Sequence, residues 1–160
     1  MQLIPVLSTV PLSTRRQSEN ASTIERSPAP VQELKHPTVL VVDDNDVVSE
    51  FLSATLCAYG YDTLLASNRD QAIEHCRRHG EGIHALIADV RLGAQDGFES
   101  ARLLQTFCPS VKIVLISGYP YEHLVRSGLL PVDSNIGTFL QKPFALQEIL
   151  ELIKPVETVS

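Results

Sequence analysis

Five short apolar runs recur along the chain from Thr38 onward, separated by segments whose apolar residues follow a helical period. The runs are rich in Val, Ile and Leu, which are typical of strands covered on both faces of a sheet. We expect these strands at residues 38–42, 61–66, 83–88, 111–116 and 138–140. Strands that alternate with helices in this way predict βα units around a parallel sheet.

Helical patterning follows each run. The segment from Asp46 to Tyr59 has Phe51, Leu52 and Leu56 at helical spacing, and Gly60 is suited to end a helix there. Further helices are expected near residues 68–80, 97–107, 121–127 and 146–153. Because crossovers between parallel strands are right-handed and both sheet faces need cover, the pattern predicts an α/β fold of the flavodoxin-like class. This fold is a doubly wound, five-stranded parallel sheet of order 2-1-3-4-5 with helices on both faces.

Composition restricts the classes of function. The chain has 160 residues and a net charge of −6, and an acidic chain is a poor candidate for direct binding to nucleic acid. Its apolar runs are too short to span a membrane. Three cysteines without CxxC spacing favour a reducing cytoplasm over a disulfide framework or a zinc site. We expect Cys57 and Cys76 to lie in the core, on apolar helix faces.

The chain divides into three parts by composition. Residues 1–36 are rich in proline and serine without a sustained period, which predicts a flexible leader. Residues 37–154 carry the alternating pattern of a single domain, and residues 155–160 form a short C-terminal tail. Since few residues follow Lys142, we expect no output module downstream, and the domain would act through a partner protein.

Polar residues follow the apolar strands at their carboxyl ends. Asp43 and Asp44 follow the first strand, Asp89 the third, Ser117 the fourth and Lys142 the fifth. In a doubly wound sheet, ligands bind at this edge. Converging carboxylates need a cation among them, and an all-oxygen donor set suits Mg²⁺. A carboxylate nucleophile, a metal, an ammonium group and a hydroxyl are the groups that can accept a phosphoryl group.

Four motifs in this order resemble the receiver domains of two-component response regulators. They are Thr38-Val-Leu-Val-Val-Asp-Asp44, Ile87-Ala-Asp89, Ile116-Ser117-Gly118 and Leu140-Gln-Lys142-Pro143-Phe144. The resemblance covers about residues 37–154, and the last two motifs are also similar to receivers attached to hybrid sensor kinases. Each motif alone is weak, whereas their conjunction is specific.

The resemblance implies roles for the acidic residues. Asp89 would accept a phosphoryl group from a sensor histidine kinase or a phosphotransfer protein. Asp44 would bind Mg²⁺ directly and Asp43 through water, while Asp89 and the backbone carbonyl of Arg91 would complete the protein's metal ligands. The side chain of Arg91 occupies a position that in this family affects hydrolysis of the acyl phosphate, and Gly93 stands where many relatives have proline.

The resemblance also implies how a signal leaves the domain. Ser117 would hydrogen-bond the phosphoryl oxygens, Lys142 would pair with the acceptor, and the peptide between Lys142 and Pro143 would be cis. Ser117 and Phe139 would be the switch residues. They would act on the face formed by the fourth helix, the fifth strand and the fifth helix, which would bind a downstream target or form a weak homodimer. Such a stand-alone receiver would pass phosphate on or change partner binding, and would not be an enzyme beyond slow autodephosphorylation.

Two alternative functions stay open. Asp44-Asn45-Asp46 resembles the DxD motif of haloacid dehalogenase-type phosphatases, with Asp44 as nucleophile, but Asp43 interrupts the apolar lead-in. The second alternative is a non-phosphorylated adaptor that keeps the fold and acts by contact alone. An intact acidic pocket weighs against the adaptor, because burying unused carboxylates is costly.

Overall fold

A five-stranded parallel sheet forms the centre of the computed structural model, which describes residues 35–156. Numbered along the chain, its strands lie in the order 2-1-3-4-5, with every neighbouring pair parallel. The predicted doubly wound, flavodoxin-like sheet is therefore confirmed. The strands are β1 (Thr38–Val42), β2 (Asp62–Ala66), β3 (Ile83–Asp89), β4 (Lys112–Ser117) and β5 (Thr138–Gln141).

Helices connect the strands at the positions that the apolar spacing predicts. A 3-10 turn, Gly80–Gly82, leads into β3, and a small hairpin that pairs Arg91–Leu92 with Gln95–Asp96 follows β3. The sequence pattern did not predict this hairpin. The α-helices are α1 (Asp46–Ala58), α2 (Arg69–His79), α3 (Gly97–Phe107), α4 (Tyr121–Arg126) and α5 (Leu146–Ile153).

Side-chain caps fix where three helices begin. Asn45 accepts hydrogen bonds from the first amides of α1, Asn68 does so for α2, and Asp96 does so for α3. These amides have no partner within the helix, so a capping oxygen satisfies them at the point where the loop ends. The cap of α1 follows β1 after two residues only, which keeps the loop at the carboxyl edge of β1 short.

Alternate residues of the strands supply two separate cores. Leu40 and Val42 pack with residues of α2, α3 and α4 on one face of the sheet. Val39 and Val41 pack with residues of α1 and α5 on the other face. All four side chains are fully buried. Cover on both faces explains why these strands are apolar throughout rather than alternating with polar residues.

The prediction that Cys57 lies in the core is wrong. Cys57 is exposed, whereas Cys76 is buried as expected. Helix α1 buries only a narrow stripe that includes Leu52 and Leu56, and Phe51 also lies exposed beside it. A residue next to a buried one is turned by about 100° around a helix, so Cys57 and Phe51 point away from the core.

The predicted leader, residues 1–36, lies almost entirely outside the described residues. At its end, the backbone amides of Lys35 and His36 donate to Oδ2 of Asp62 at 2.8 and 3.1 Å. Of the predicted tail, the structure describes Pro155 and Val156. Within residues 35–156, none of the helices has the length and apolar character needed to cross a bilayer.

Candidate functional site

The carboxyl ends of the strands bring the predicted polar residues to one edge of the sheet. Asp89 ends β3 and Ser117 ends β4, while Asp43 directly follows β1 and Lys142 directly follows β5. The strand register aligns Asp89 with Ile116, next to Ser117. Residues from four separated parts of the sequence therefore meet where the strands end.

Lys142 links two carboxylates of this edge, the buried Asp43 and the partly buried Asp89. Its Nζ lies 2.9 Å from Oδ2 of Asp89 and 3.2 Å from Oδ2 of Asp43. The side chain of Asp43 is 1% exposed, that of Asp89 is 14% exposed and that of Lys142 is 26% exposed. Asp43 is thus closed off from solvent, whereas Asp89 and Lys142 keep some access to it.

Burial and charge act in opposite directions on this cluster. Burial raises the pKa of Asp43 above its ordinary value, and the neighbouring Asp89 charge adds to the rise, although the Asn45 amide and Lys142 oppose it. For Lys142, burial alone would lower the pKa, but the hydrogen bonds and charges of Asp89 and Asp43 outweigh burial and leave the pKa raised. The ammonium group therefore stays charged, and additional positive charge beside Asp43 would be favourable.

Backbone contacts hold Asp89 from both sides. The Arg91 amide donates to Oδ1 of Asp89 at 2.7 Å, which leaves Lys142 on the other carboxylate oxygen. The start of α3 also packs against the Asp89 backbone. A Cβ atom at Gly97 would lie 1.9 Å from the Asp89 carbonyl oxygen, so only glycine fits there. The hairpin after β3 and the start of α3 thus fix the position of this carboxylate.

Asp44 faces the loop that follows Asp89. Its side chain is exposed, and its Oδ2 lies 3.5 Å from the place that a Cβ atom would take at Gly93. Asp43, Asp44, Asp89 and the Arg91 carbonyl offer oxygen donors only, which suits a hard divalent cation. Among the described residues, no group of three His, Cys, Asp or Glu side chains is ready to hold a metal by itself. A cation at this edge would therefore need the backbone carbonyl, water or a ligand oxygen as well.

Ser117 is buried and tied to its neighbours by backbone contacts. Its Oγ accepts a hydrogen bond from the Tyr119 amide at 3.1 Å, so the hydroxyl proton can be donated to another group. Its carbonyl oxygen accepts from the Lys142 amide at 2.7 Å, which fixes the end of β5 against the end of β4. The peptide between Lys142 and Pro143 is cis.

Phe139 lies in β5 beside α4, and its ring contacts the ring of Tyr121 at a centroid distance of 5.6 Å. The Tyr121 hydroxyl donates to the carbonyl oxygen of Val132 at 3.2 Å. Tyr121 therefore contacts both Phe139 and the segment between α4 and β5, and links the two.

Sequence reasoning missed a bridge that joins the loops after β3 and β4. The Arg91 guanidinium lies 5.3 Å from the ring centroid of Tyr119 and donates to the Tyr119 hydroxyl at 3.1 Å. Tyr119 in turn stacks on His123 at 5.1 Å. The sequence contains one indication of this contact. Arg91 stands two places after Asp89 and Tyr119 stands two places after Ser117, so the two residues lie equally far from the ends of neighbouring strands.

Comparison with known proteins identifies the family. A family model for the response regulator receiver domain matches residues 39–154. The transcriptional regulatory protein AruR of Pseudomonas aeruginosa is 40% identical over 121 residues, covering 74% of this chain and 48% of AruR. The sensor kinase CckA of Brucella abortus is 32% identical over 117 residues, covering 73% of this chain and 12% of CckA. The chain spans about half or less of the length of these relatives.

Solved structures agree with the family match. A response regulator from Burkholderia pseudomallei, determined with a phosphorylated aspartic acid, a calcium ion and citrate, aligns with a TM-score of 0.61 at 26% identity over 74% of this chain and 66% of its own. A response regulator receiver protein from Sinorhizobium medicae aligns with a TM-score of 0.61 at 26% identity over 74% of this chain and 92% of its own. From its fold, its strand-end residues and these matches, the chain belongs to the receiver domain family of two-component response regulators.

Proposed function

We propose that this receiver accepts a phosphoryl group on Asp89 from the phosphohistidine of a sensor histidine kinase or a phosphotransfer protein. The P–N bond to histidine breaks, a bond forms between phosphorus and an Asp89 carboxylate oxygen, and the electron pair of the broken bond stays on the imidazole. The observation that carries this proposal is the 2.9 Å contact between Asp89 and the Lys142 ammonium group at a solvent-accessible edge. A fixed positive charge there would stabilise the transferred group.

Mg²⁺ is the proposed cofactor, held by Asp43, Asp44, Asp89 and the Arg91 carbonyl. Support comes from the all-oxygen donor set and from the buried carboxylate of Asp43, whose raised pKa favours a nearby cation. When bound, the ion would offset the repulsion between the carboxylates and the incoming phosphoryl oxygens. Ser117 would donate its hydroxyl proton to one of those oxygens, which its contact with the Tyr119 amide leaves possible.

Output would pass through contacts with other proteins, with Ser117 and Phe139 as the switch residues. The proposed output face consists of α4, β5 and α5. Support comes from a shallow cavity of about 410 Å³ on β5 and α5 that is walled mainly by apolar atoms, with Leu140 and Leu152 among its lining residues. A downstream target or a weakly bound second copy would cover this face, or the phosphoryl group would be relayed to another protein. The proposal includes a reducing cytoplasm as the site of action and no direct contact with nucleic acid.

An exposed apolar pair supports a protein as the phosphoryl donor. Val47 and Phe51 lie one turn apart on α1, just after Asp44, and both are largely exposed. Exposed apolar residues on a helix that begins just after the carboxyl end of β1 suit a partner that docks briefly at this edge of the sheet. Phosphotransfer profiling against histidine kinases of the same genome would identify the donor, and rapid preferential labelling by one kinase is the expected result.

Asp89 is favoured over Asp44 as the acceptor. Lys142 contacts Asp89 and Asp43, while the carboxylate of Asp44 lies toward Gly93 on the opposite loop. A haloacid dehalogenase-type phosphatase would need the nucleophile and the cation to meet at Asp44. The chain is proposed as a signalling phosphoacceptor and not as a turnover enzyme.

The assignment of Asp89 as the acceptor can be tested by titrating the full chain with beryllofluoride and Mg²⁺ while its amide chemical shifts are recorded. We expect saturable shifts at the ends of β1, β3 and β4, their loss in Asp89→Ala, and unchanged binding in Asp70→Ala, which alters an exposed carboxylate on α2. Binding that persists in Asp89→Ala but disappears in Asp44→Ala would support the phosphatase instead.

A further inference from the structure

A groove of about 850 Å³ separates α3 from the segment that joins α4 to β5. Its lining is mixed, with more apolar than polar surface, and Val132 stands 71% exposed at its edge. The backbone amides of Leu129 and Leu130 both donate to the Leu124 carbonyl, which anchors one wall to the end of α4. The apolar lining residues include Phe98, Val125, Leu129, Leu130, Val132 and Ile136.

Carboxylates accompany these apolar residues. Asp96, Glu99 and Asp133 line the groove, and the one cation among its lining residues is Arg102, whose guanidinium lies 3.4 Å from Glu99 on the same helix. Glu99 and Arg102 compensate each other, and Oδ1 of Asp96 already accepts the Phe98 and Glu99 amides at the start of α3. The exposed carboxylate of Asp133, with Oδ2 of Asp96, leaves the rim negative. The whole chain carries a net charge of −6, so a second copy would bring like charge to this rim. The occupant that fits has the opposite charge.

We propose that this groove binds a short segment of a partner protein in which apolar side chains are flanked by lysine or arginine. The apolar side chains would cover the apolar lining residues, Val132 among them, and the cations would lie against Asp133 first and against Oδ2 of Asp96, the oxygen that does not cap α3. This interaction surface goes beyond the proposed function, because that function places output on the face of α4, β5 and α5.

The walls of the groove also contact residues that lead to the edge of the sheet carrying Asp89. Val132 accepts a hydrogen bond from Tyr121, whose ring contacts Phe139. Leu129 also lines a cavity of about 230 Å³ together with Arg91, from the loop after Asp89. A change in either contact would alter the groove. Any dependence of docking on phosphorylation rests on the proposed function, whereas docking itself does not.

The test uses the ¹⁵N-labelled full chain and two synthetic peptides, one alternating pairs of leucine with pairs of lysine and one with glutamate in place of each lysine. We expect the lysine peptide to shift amides of α3 and residues 128–136, and the glutamate peptide to leave them unchanged. The double variant Val132→Ser with Asp133→Asn should weaken binding by about fivefold or more. The matched control is Val156→Ser with Glu81→Gln, which removes an equally exposed valine, 76% accessible, and an exposed carboxylate elsewhere; it should bind as the unaltered chain does.

Three results would overturn the groove proposal: no binding of the lysine peptide, shifts spread over acidic surfaces such as α1, or equal binding of the two peptides. Repeating the titration with beryllofluoride and Mg²⁺ keeps the two proposals apart. If beryllofluoride leaves the amides near Asp89 unchanged, the proposed function fails while the groove result stands. If beryllofluoride binds and the lysine peptide does not, only the groove proposal fails.

Discussion

Nζ of Lys142 lies 2.9 Å from Oδ2 of Asp89, although the two residues are 53 positions apart in the sequence. The same ammonium group contacts Asp43, so one cation holds two carboxylates that come from different strands. The charge needed near the acceptor is therefore in place before any ligand binds. Groups fixed in advance in this way stabilise developing charge without having to reorganise.

Replacing Lys142 with methionine should slow phosphorylation of Asp89 by a small phosphoryl donor by about 10²-fold, because the side chain keeps its bulk but loses its charge. The initial labelling rate at saturating Mg²⁺ measures this effect. Lys112→Met is the matched control, since Lys112 is a half-buried lysine at the opposite end of β4 that contacts the Lys154 carbonyl. Equal labelling rates in the two variants would contradict the role given to Lys142.

Gly97→Ala should lower the free energy of unfolding by about 1–3 kcal/mol, because the new methyl group would press on the Asp89 backbone. Gly118→Ala is the control, since a Cβ atom there meets nothing within 4 Å, and its effect should stay within about 0.5 kcal/mol. Urea unfolding followed by circular dichroism measures both. We also expect Gly97→Ala to label more slowly than Gly118→Ala, since the displaced backbone carries the acceptor. Equal free energies of unfolding in the two variants would show that the backbone near Gly97 accommodates the new methyl group without loss of stability.

The bridge between Arg91 and Tyr119 should lengthen the lifetime of the acyl phosphate by restricting the approach of water to Asp89. Arg91→Ala or Tyr119→Ala should shorten the lifetime about threefold, which corresponds to the loss of a cation–π contact of about 0.5–1 kcal/mol. Tyr119→Phe keeps the ring and loses only the hydroxyl. The lifetime of the acyl phosphate in this variant should therefore lie between that in the unaltered chain and that in Tyr119→Ala. Decay of the labelled protein after removal of the donor gives the rates. Unchanged or longer lifetimes in both alanine variants would contradict a protective bridge.

Cys76 should make the protein less stable in alkali. Burial raises the pKa of its thiol from 9.0 to about 12, with Cys108 adding to the rise. Between these values the unfolded chain loses the proton first, so the free energy of unfolding should fall as pH rises above about 9. Between about pH 8 and about pH 10, the free energy of unfolding should fall less in Cys76→Ala than in the unaltered chain. In Cys57→Ser, which alters an exposed thiol, it should fall as much as in the unaltered chain. An identical pH dependence in all three proteins would contradict the assignment.

Much of this architecture could be predicted from the sequence because its local and global signals agree. Strands such as β1 are apolar throughout, and residues such as Asp43 and Lys142 stand at the strand ends, so a parallel sheet necessarily brings them to one edge. The positions of Cys57 and Phe51 were less predictable, because apolar character does not decide which side of a partly exposed helix is buried.

Features that depend on loop geometry could not be predicted. The stack of Arg91 on Tyr119 depends on the directions of two loops, which no periodicity specifies. Likewise, no sequence pattern specifies that the segment between α4 and β5 borders α3 and leaves a groove. The different burial of Asp43 and Asp44 follows from the turn after β1, where Asp43 Oδ1 accepts the Asn45 amide at 2.9 Å.

The central claim is tested most directly by incubating the full chain with acetyl phosphate and Mg²⁺ and locating the modification by peptide mass mapping. We predict a gain of one phosphoryl group on the peptide that contains Asp89, its removal by hydroxylamine, and no gain in Asp89→Asn or when the metal is chelated. An unmodified chain, under conditions that label another receiver in the same tube, would contradict the proposal and favour an adaptor that works by contact alone.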